Sequence, residues 1–243
     1  ALSLGAWREQ ASLPPSVSDH IDYLECPSPE EETGVIALMM REVLETPGKT
    51  AALITPDRGL ARRVTAQLNR WEIEIDDSAG TPLALSPTAT FLRLCATLVS
   101  GEFRPVNLLS LGKHPLAACG YDPAEFRRLI RLLEVSVLRG PLPAPGLRGL
   151  RHLVETQDRS NSLLLVLDAL EEKTTRLRDV FAQDYCSLRS MVEAHIRTAE
   201  DLAATDEQAG PDRLWAGDAG EATAAFMAEV LDSADVLPVL KIH

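Results

Sequence analysis

The first 80 residues alternate short apolar runs with stretches of helical periodicity. Apolar runs at Ile21–Leu24, Thr50–Ile54 and Ile73–Asp76 predict three strands. The middle run is uninterrupted and ends at a Pro-Asp turn signal, which is typical of a strand that is buried on both faces. In the third run, isoleucines alternate with acidic residues, which indicates a strand with one wetter face. Strands that alternate with helices at this spacing predict a small parallel β-α-β-α-β unit.

Two helices are predicted between these strands. Ser28 is placed to cap the first helix, and Pro29 suits its first turn. Leu60, Val64 and Leu68 repeat at helical spacing and predict the buried face of the second helix.

Beyond Gly80 the periodicity becomes helical, so we expect an α/β unit followed by a mostly α region. The predicted organisation is an N-terminal linker at 1–20, the α/β unit at 21–85 and a helical region at 86–243. A Pro- and Gly-rich stretch at 140–146 can be neither helix nor strand interior and predicts an internal linker. A run of leucines from Leu163 through Leu177 predicts one long helix.

Composition narrows the class of protein. The 243 residues are 45% hydrophobic and 25% charged, as in soluble globular proteins. No apolar run reaches the roughly 20 residues that a membrane span needs, so we expect no membrane contact. The cysteines are far apart and include no Cys-x-x-Cys pair, which favours reduced thiols in a cytoplasm. They are Cys26, Cys95, Cys119 and Cys186.

Four motifs in this chain, in the same order, carry a resemblance to a known family. They are Thr50-Ala51-Ala52-Leu53-Ile54-Thr55-Pro56-Asp57-Arg58 with Leu60-Ala61-Arg62-Arg63-Val64; Ile75-Asp76-Asp77-Ser78-Ala79-Gly80; Lys113-His114-Pro115-Leu116-Ala117; and Leu214-Trp215-Ala216-Gly217-Asp218-Ala219-Gly220-Glu221. The chain resembles the AddB family, the helicase-like subunits of bacterial AddAB helicase-nucleases, in what looks like an alphaproteobacterial version. The resemblance runs from about Pro29 to about Leu237.

The resemblance implies an internal fragment. Residues 21–85 would be part of a RecA-like second helicase motor domain, and the helical region would be an inserted subdomain. The expected function is a non-catalytic scaffold in double-strand break repair, which processes DNA ends for homologous recombination. An AddA-like helicase-nuclease subunit and DNA are the implied partners. ATP, Mg²⁺ and an iron–sulfur cluster are implied only for the wider complex, so no cofactor is expected in this fragment.

One departure from the family pattern bears on mechanism. Active helicases that resemble this block place a tyrosine and an arginine at the end of the central strand, where Ile54 and Thr55 stand here. Isoleucine cannot stack on a base, and threonine brings no positive charge to a phosphate. We therefore expect no complete ATP site and assign no catalytic residue. The alternative is a free-standing nucleotide-binding enzyme or regulator that is built on the N-terminal α/β unit.

Any DNA contact must be local, because the net charge of −12 repels phosphates. The arginines Arg58, Arg62 and Arg63 share a helix face by spacing, and Lys113-His114 ends a predicted helix. These five residues are the predicted nucleic-acid contacts. Two further basic clusters are present, Arg127-Arg128-Arg131 and Arg148-Arg151-His152. Each cluster can equally be a solvated helix face that pairs with nearby acids.

The sequence offers little metal chemistry. Asp76 and Asp77 are adjacent carboxylates, but neighbouring residues of a strand point to opposite faces, so turn formation is the better interpretation. No metal ligand is predicted.

Overall fold

The computed structural model describes Asp19 and residues 21–80, 82–158 and 161–242. The chain divides into two compact units, Ala1–Gly80 and Thr81–His243. The regular structure described in unit 1 consists of two helices, and unit 2 is mainly helical.

Unit 1 is a pair of helices, α1 (Pro29–Leu44) and α2 (Arg58–Asn69). The predicted cap of α1 forms: the Ser28 hydroxyl accepts from the Glu31 N–H. Helix α2 is capped by Asp57, whose carboxylate accepts from the Gly59 N–H. The core consists of Ala37 from α1 and, from α2, the residues Leu60, Val64 and Leu68. The predicted buried face of α2 is therefore confirmed.

The predicted parallel sheet is wrong. Residues 21–24, 50–54 and 73–76 are irregular in the described structure, and no strand forms among residues 21–80. The alternation that predicted the third strand is real: Ile73 and Ile75 are half-buried against the helices, and Glu72 and Glu74 are exposed. However, a strand also needs a hydrogen-bonded neighbour, and periodicity within one segment does not supply it. The parallel RecA-like β-α-β-α-β unit is not present.

The middle segment also fails as a doubly buried strand. Leu53 is half-buried against the helical core, but the Ile54 side chain is 95% exposed. The segment therefore buries one face and leaves the other open. An uninterrupted apolar run predicts two buried faces only where a second layer covers the run.

Unit 2 is helical, as the periodicity beyond Gly80 predicted. Its helices are α3 (Pro87–Ser100), α4 (Pro105–Gly112), α5 (Pro123–Leu133), α6 (Gly146–Leu153), α7 (Asn161–Phe181), α8 (Leu188–Ala203), α9 (Gly210–Leu214) and α10 (Gly217–Ser233). The predicted long helix through Leu163 and Leu177 is confirmed as α7. Strands β1 (Tyr185–Cys186) and β2 (Leu240–Lys241) pair antiparallel, with Tyr185 opposite Lys241.

The core of unit 2 is one large apolar cluster. It takes Phe91 from α3, Phe126 from α5 and Leu167 from α7, each at most 2% exposed. Short 3-10 turns lie at Leu83–Leu85 and Ala234–Val236. The Pro- and Gly-rich stretch at 140–145 has neither helix nor strand and lies within unit 2.

Two helices of unit 2 end in a widened turn. Helix α5 runs into a π-helical turn at Glu134–Leu138, and α6 runs into another at Val154–Asp158. In the first turn the Arg139 N–H donates to the Glu134 carbonyl, 3.1 Å away and five residues back. Such turns are uncommon and often occur at functional sites.

Candidate nucleic-acid interface

The predicted arginine cluster lies in unit 1 and is held by contacts within that unit. Two guanidinium nitrogens of Arg58 donate to the two Asp77 carboxylate oxygens, at 3.0 and 2.6 Å. This hydrogen bonding raises the pKa of Arg58 and lowers the pKa of Asp77. Asp77 also accepts from the Ala79 N–H, which agrees with its predicted role in a turn. Arg58 is therefore already bound to an anion of its own unit.

The other two arginines of α2 are exposed but make contacts nearby. Arg62 Nε donates to the Arg58 carbonyl at 3.2 Å. Arg63 Nε donates to the Thr33 hydroxyl at 3.3 Å, and its guanidinium lies 3.8 Å from Asp57. The structure thus brings the three arginines together on α2, in the pattern of a solvated helix face with nearby acids. Their role as nucleic-acid contacts stays a prediction.

Lys113 and His114 lie in unit 2, directly after α4, and differ in environment. Lys113 is exposed, and its Nζ lies 2.6 Å from Glu134 Oε2. The His114 ring is tilted against Phe91, with 5.1 Å between centroids, and its Nδ1 accepts from the Leu116 N–H. Burial lowers the pKa of His114. The neutral ring therefore shapes the turn, whereas Lys113 presents a charge at the surface.

A groove of about 490 Å³ is formed at this point between the end of α4, helix α5 and the π-helical turn. We call it the basic groove. Its lining consists of Gly112, Lys113, Arg127, Ile130, Arg131, Glu134, Val135 and Arg139. Four cationic side chains in this lining face a single carboxylate. In a chain with a net charge of −12, the groove is a local reversal of sign.

Helical spacing and one glycine build the groove. Arg127 and Arg131 are four residues apart and share a face of α5, with the buried Ile130 beneath them. Gly112 ends α4 against this isoleucine, and a Cβ at Gly112 would lie 3.0 Å from three carbons of Ile130. The missing side chain therefore lets α4 approach α5 closely enough to place Lys113 beside Glu134.

The cations of the groove are of two kinds. Glu134 binds Lys113 at 2.6 Å and Arg139 at 3.3 Å, and these hydrogen bonds lower the pKa of Glu134. Arg127 and Arg131 have no carboxylate within ion-pair distance in the part of the chain that the structure describes. Arg127 Nε donates only to the Pro123 carbonyl, at 3.0 Å. Two exposed guanidinium groups are thus left without a counter-charge.

A further arginine adds positive charge near the groove. Arg213 donates to the backbone carbonyls of Pro115, Leu116 and Ala203. Burial, and then the positive charge of Arg127, lower the pKa of Arg213. The Arg127 side of the groove therefore has an excess of positive charge.

Two more of the basic residues named from the sequence, Arg128 and Arg151, are paired with acids and do not line the groove. Arg128 binds Glu125 through two nitrogens, each at 2.7 Å. Arg151 binds Asp168 at 2.5 Å and Glu171 at 3.2 Å. Of the cluster Arg127-Arg128-Arg131, the structure therefore brings only the first and last to the groove. Sequence analysis missed Arg139, since nothing in the local pattern predicts the π-helical turn that brings it beside Glu134.

A larger groove has fewer charged side chains. It measures about 830 Å³ and lies between residues 100–107 and 142–145, and its charged lining residues are Glu102 and Arg104. Among the residues that the structure describes, no group of three or more His, Cys, Asp or Glu side chains is arranged to hold a metal ion. The four cysteines are free thiols, and Cys95 and Cys119 are buried. No helix within the described ranges is long and apolar enough to cross a bilayer.

Comparison with protein-family models, with curated proteins and with solved structures found no match for this chain. The basic groove and the motifs in the sequence are therefore the features from which a function can be inferred.

Proposed function

We propose that this chain is a non-catalytic scaffold piece of a double-strand break repair helicase-nuclease subunit and that it contacts the phosphate backbone of DNA through the basic groove. The observation that carries the proposal is the pair Arg127 and Arg131, two exposed cations without a counter-charge in an acidic chain. The ordered motifs that resemble the AddB family support the assignment to break repair. An AddA-like subunit as partner and a cytoplasmic location belong to the same proposal.

The lining of the groove favours recognition of phosphates over recognition of bases. Guanidinium groups match the oxygens of a phosphate and bind them in a fork geometry. The lining contains no aromatic side chain on which a base could stack. Contacts of this kind position a protein on nucleic acid without reading its sequence. We therefore expect binding that is independent of sequence and strongly dependent on salt.

ATP, Mg²⁺ and the iron–sulfur cluster are proposed for the wider complex and not for this piece. The alternative of a free-standing nucleotide-binding protein was built on a parallel N-terminal sheet. Residues 21–80 form no strand, so this alternative and the RecA-like motor domain that the resemblance implied have both lost their structural basis. ATP turnover or DNA cleavage by the purified chain would contradict the scaffold assignment.

The test is binding of a fluorescein-labelled duplex of mixed sequence, measured by anisotropy at about 0.15 M salt, where the screening length is about 8 Å. The variant Arg127→Ala/Arg131→Ala should lose on the order of ten- to a hundredfold in affinity, because it removes two charge-assisted contacts. The matched control is Arg128→Ala/Arg148→Ala, which removes the same charge from exposed positions outside the groove. The control should stay within about twofold of the wild type, since nonspecific charge alone has a small effect on a local contact.

The arginines of α2 are compared in the same assay. If Arg58→Ala/Arg62→Ala/Arg63→Ala abolishes binding and Arg127→Ala/Arg131→Ala does not, the DNA contact lies in unit 1 and the groove proposal is wrong. Equal loss of affinity in the groove variant and in its control would also refute the proposal, since the total charge of the protein, and not the position of the arginines, would then determine binding.

A further inference from the structure

We infer that Glu134 is a built-in competitor of phosphate, which keeps Lys113 and Arg139 from contacting DNA and restricts the wild-type footprint to Arg127 and Arg131. The inference rests on the proposed function and adds a residue that sets the affinity of the same site. It makes Glu134 a negative element within a basic groove.

The geometry places Glu134 as an internal anion. Its side chain is 16% exposed, and its two oxygens are directed to different cations, Oε2 to Lys113 at 2.6 Å and Oε1 to Arg139 at 3.3 Å. A phosphate group offers the same partners to cations, namely oxygens that carry negative charge. A DNA phosphate that contacts Lys113 or Arg139 must therefore compete with the Glu134 carboxylate, which is part of the protein and always present in the groove.

The two pairs of cations differ in whether they are free to neutralise a phosphate, which releases the counterions bound to the DNA. Each phosphate that a protein cation neutralises steepens the dependence of affinity on salt by about 0.9 in a double-logarithmic plot. If Arg127 and Arg131 alone contact the duplex, the slope should be about −1.8. With Lys113 and Arg139 set free, it should approach about −3.6.

The experiment is a salt titration of duplex binding with Glu134→Gln in the full chain. Glutamine keeps the shape of the side chain and removes its charge. We expect at least about a tenfold gain in affinity at low salt, and a slope that steepens by about 1.8. Glu134→Ala is a second variant that removes the carboxylate without adding an amide, and it should shift affinity in the same direction. Circular dichroism checks that both variants keep the helical content of the wild type.

The matched control is Glu125→Gln. Glu125 lies on the same helix, pairs with Arg128 and does not line the groove. A helix advances by about 100° per residue, so Glu125 and Glu134 lie on opposite sides of its axis. The control changes the net charge by the same amount. At about 0.15 M salt it should leave affinity within about twofold of the wild type and the slope unchanged, because exposed charges beyond about 8 Å are screened.

A triple variant tests the cause of the gain. Lys113→Gln/Glu134→Gln/Arg139→Gln removes the competitor together with the two cations that it holds. Its affinity and slope should return to those of the wild type, since only Arg127 and Arg131 would remain in the groove.

The outcomes separate the two proposals. If the wild type binds through Arg127 and Arg131 but Glu134→Gln binds no more tightly, the inference about Glu134 is wrong and the proposed function stands. A weaker Glu134→Gln would show that the carboxylate positions the cations, which also overturns the inference. If neither wild type nor Glu134→Gln binds DNA, both proposals fail. Binding by Glu134→Gln but not by the wild type would show that Glu134 competes with phosphate and would contradict the proposed function, which has the wild type bind through Arg127 and Arg131.

Discussion

The long helix α7 offers a direct test of how unit 2 is held together. Leu167 is fully buried in the core, whereas Leu165 on the same helix is 53% exposed. Replacing either leucine by alanine removes the same atoms and makes the same small change in helix propensity. The difference between the two variants therefore isolates the contribution of burial.

The expected magnitudes differ widely. Leu167→Ala loses the transfer free energy of the side chain and leaves a cavity among close-packed neighbours, so it should lower the free energy of unfolding by about 2–5 kcal/mol. Leu165→Ala should stay within about 0.5 kcal/mol of the wild type, as surface substitutions usually do. For a domain of this size, a loss of about 3 kcal/mol corresponds to a Tm lowered by roughly 6–12 °C.

The assay is denaturant unfolding followed by helical circular dichroism and by tryptophan fluorescence. Trp7 and Trp71 are replaced by phenylalanine in every variant, so that Trp215 of unit 2 is the reporter. A lower midpoint with an unchanged slope reports a loss of stability of the native state. Equal costs for the two variants would refute the assignment of the buried face of α7. A larger cost for Leu165→Ala would place the core on the opposite side of the helix.

Three further predictions concern other parts of the chain. In unit 1, Leu68→Ala should cost about 2–5 kcal/mol in denaturant melts and Ile54→Ala under about 0.5, because only the first is buried. Gly112→Ala should lower stability by up to about 3 kcal/mol through the clash with Ile130, and a thermal melt at or above the wild-type Tm would contradict this. Burial lowers the pKa of His195, so stability should fall as pH drops below the unfolded value of about 6.5. Melts at about pH 7.5 and about pH 5.5 test this, and His195→Gln should flatten the dependence.

The parts of the fold that could be predicted from the sequence are those that local patterns determine. Ser28 and Asp122 cap α1 and α5 as their residue types favour, and the leucines of α7 repeat at the helical period. Whether the apolar runs form a parallel sheet could not be predicted from local patterns, because strand pairing depends on neighbours that are distant along the chain. Ile73 shows this directly: its alternation with Glu72 and Glu74 is real, yet no strand forms there.

The candidate site also combines residues that local spacing predicts with residues that only the packing of distant segments brings together. Arg127 and Arg131 lie on one helix, so their spacing alone places them on a common face. Lys113 and Arg139 reach the groove from other segments, and their shared contact with Glu134 depends on how α4 and the π-helical turn pack. The spacing of basic residues predicts which helix faces are positive. It does not predict which of these cations are already paired with a carboxylate in the folded protein.

The π-helical turn after α5 lets the helix hold one extra residue without disturbing the groove. Its hydrogen bond from Arg139 to Glu134 spans five residues, whereas an α-helical turn spans four. Deleting one residue between them would let regular α-helix continue and would place Arg139 four residues after Glu134, which is the spacing of an ion pair on one helix face. The contact between the two side chains would therefore be kept. In related chains, a one-residue deletion at this position would leave the charge of the groove unchanged, whereas a substitution of Glu134 would change it.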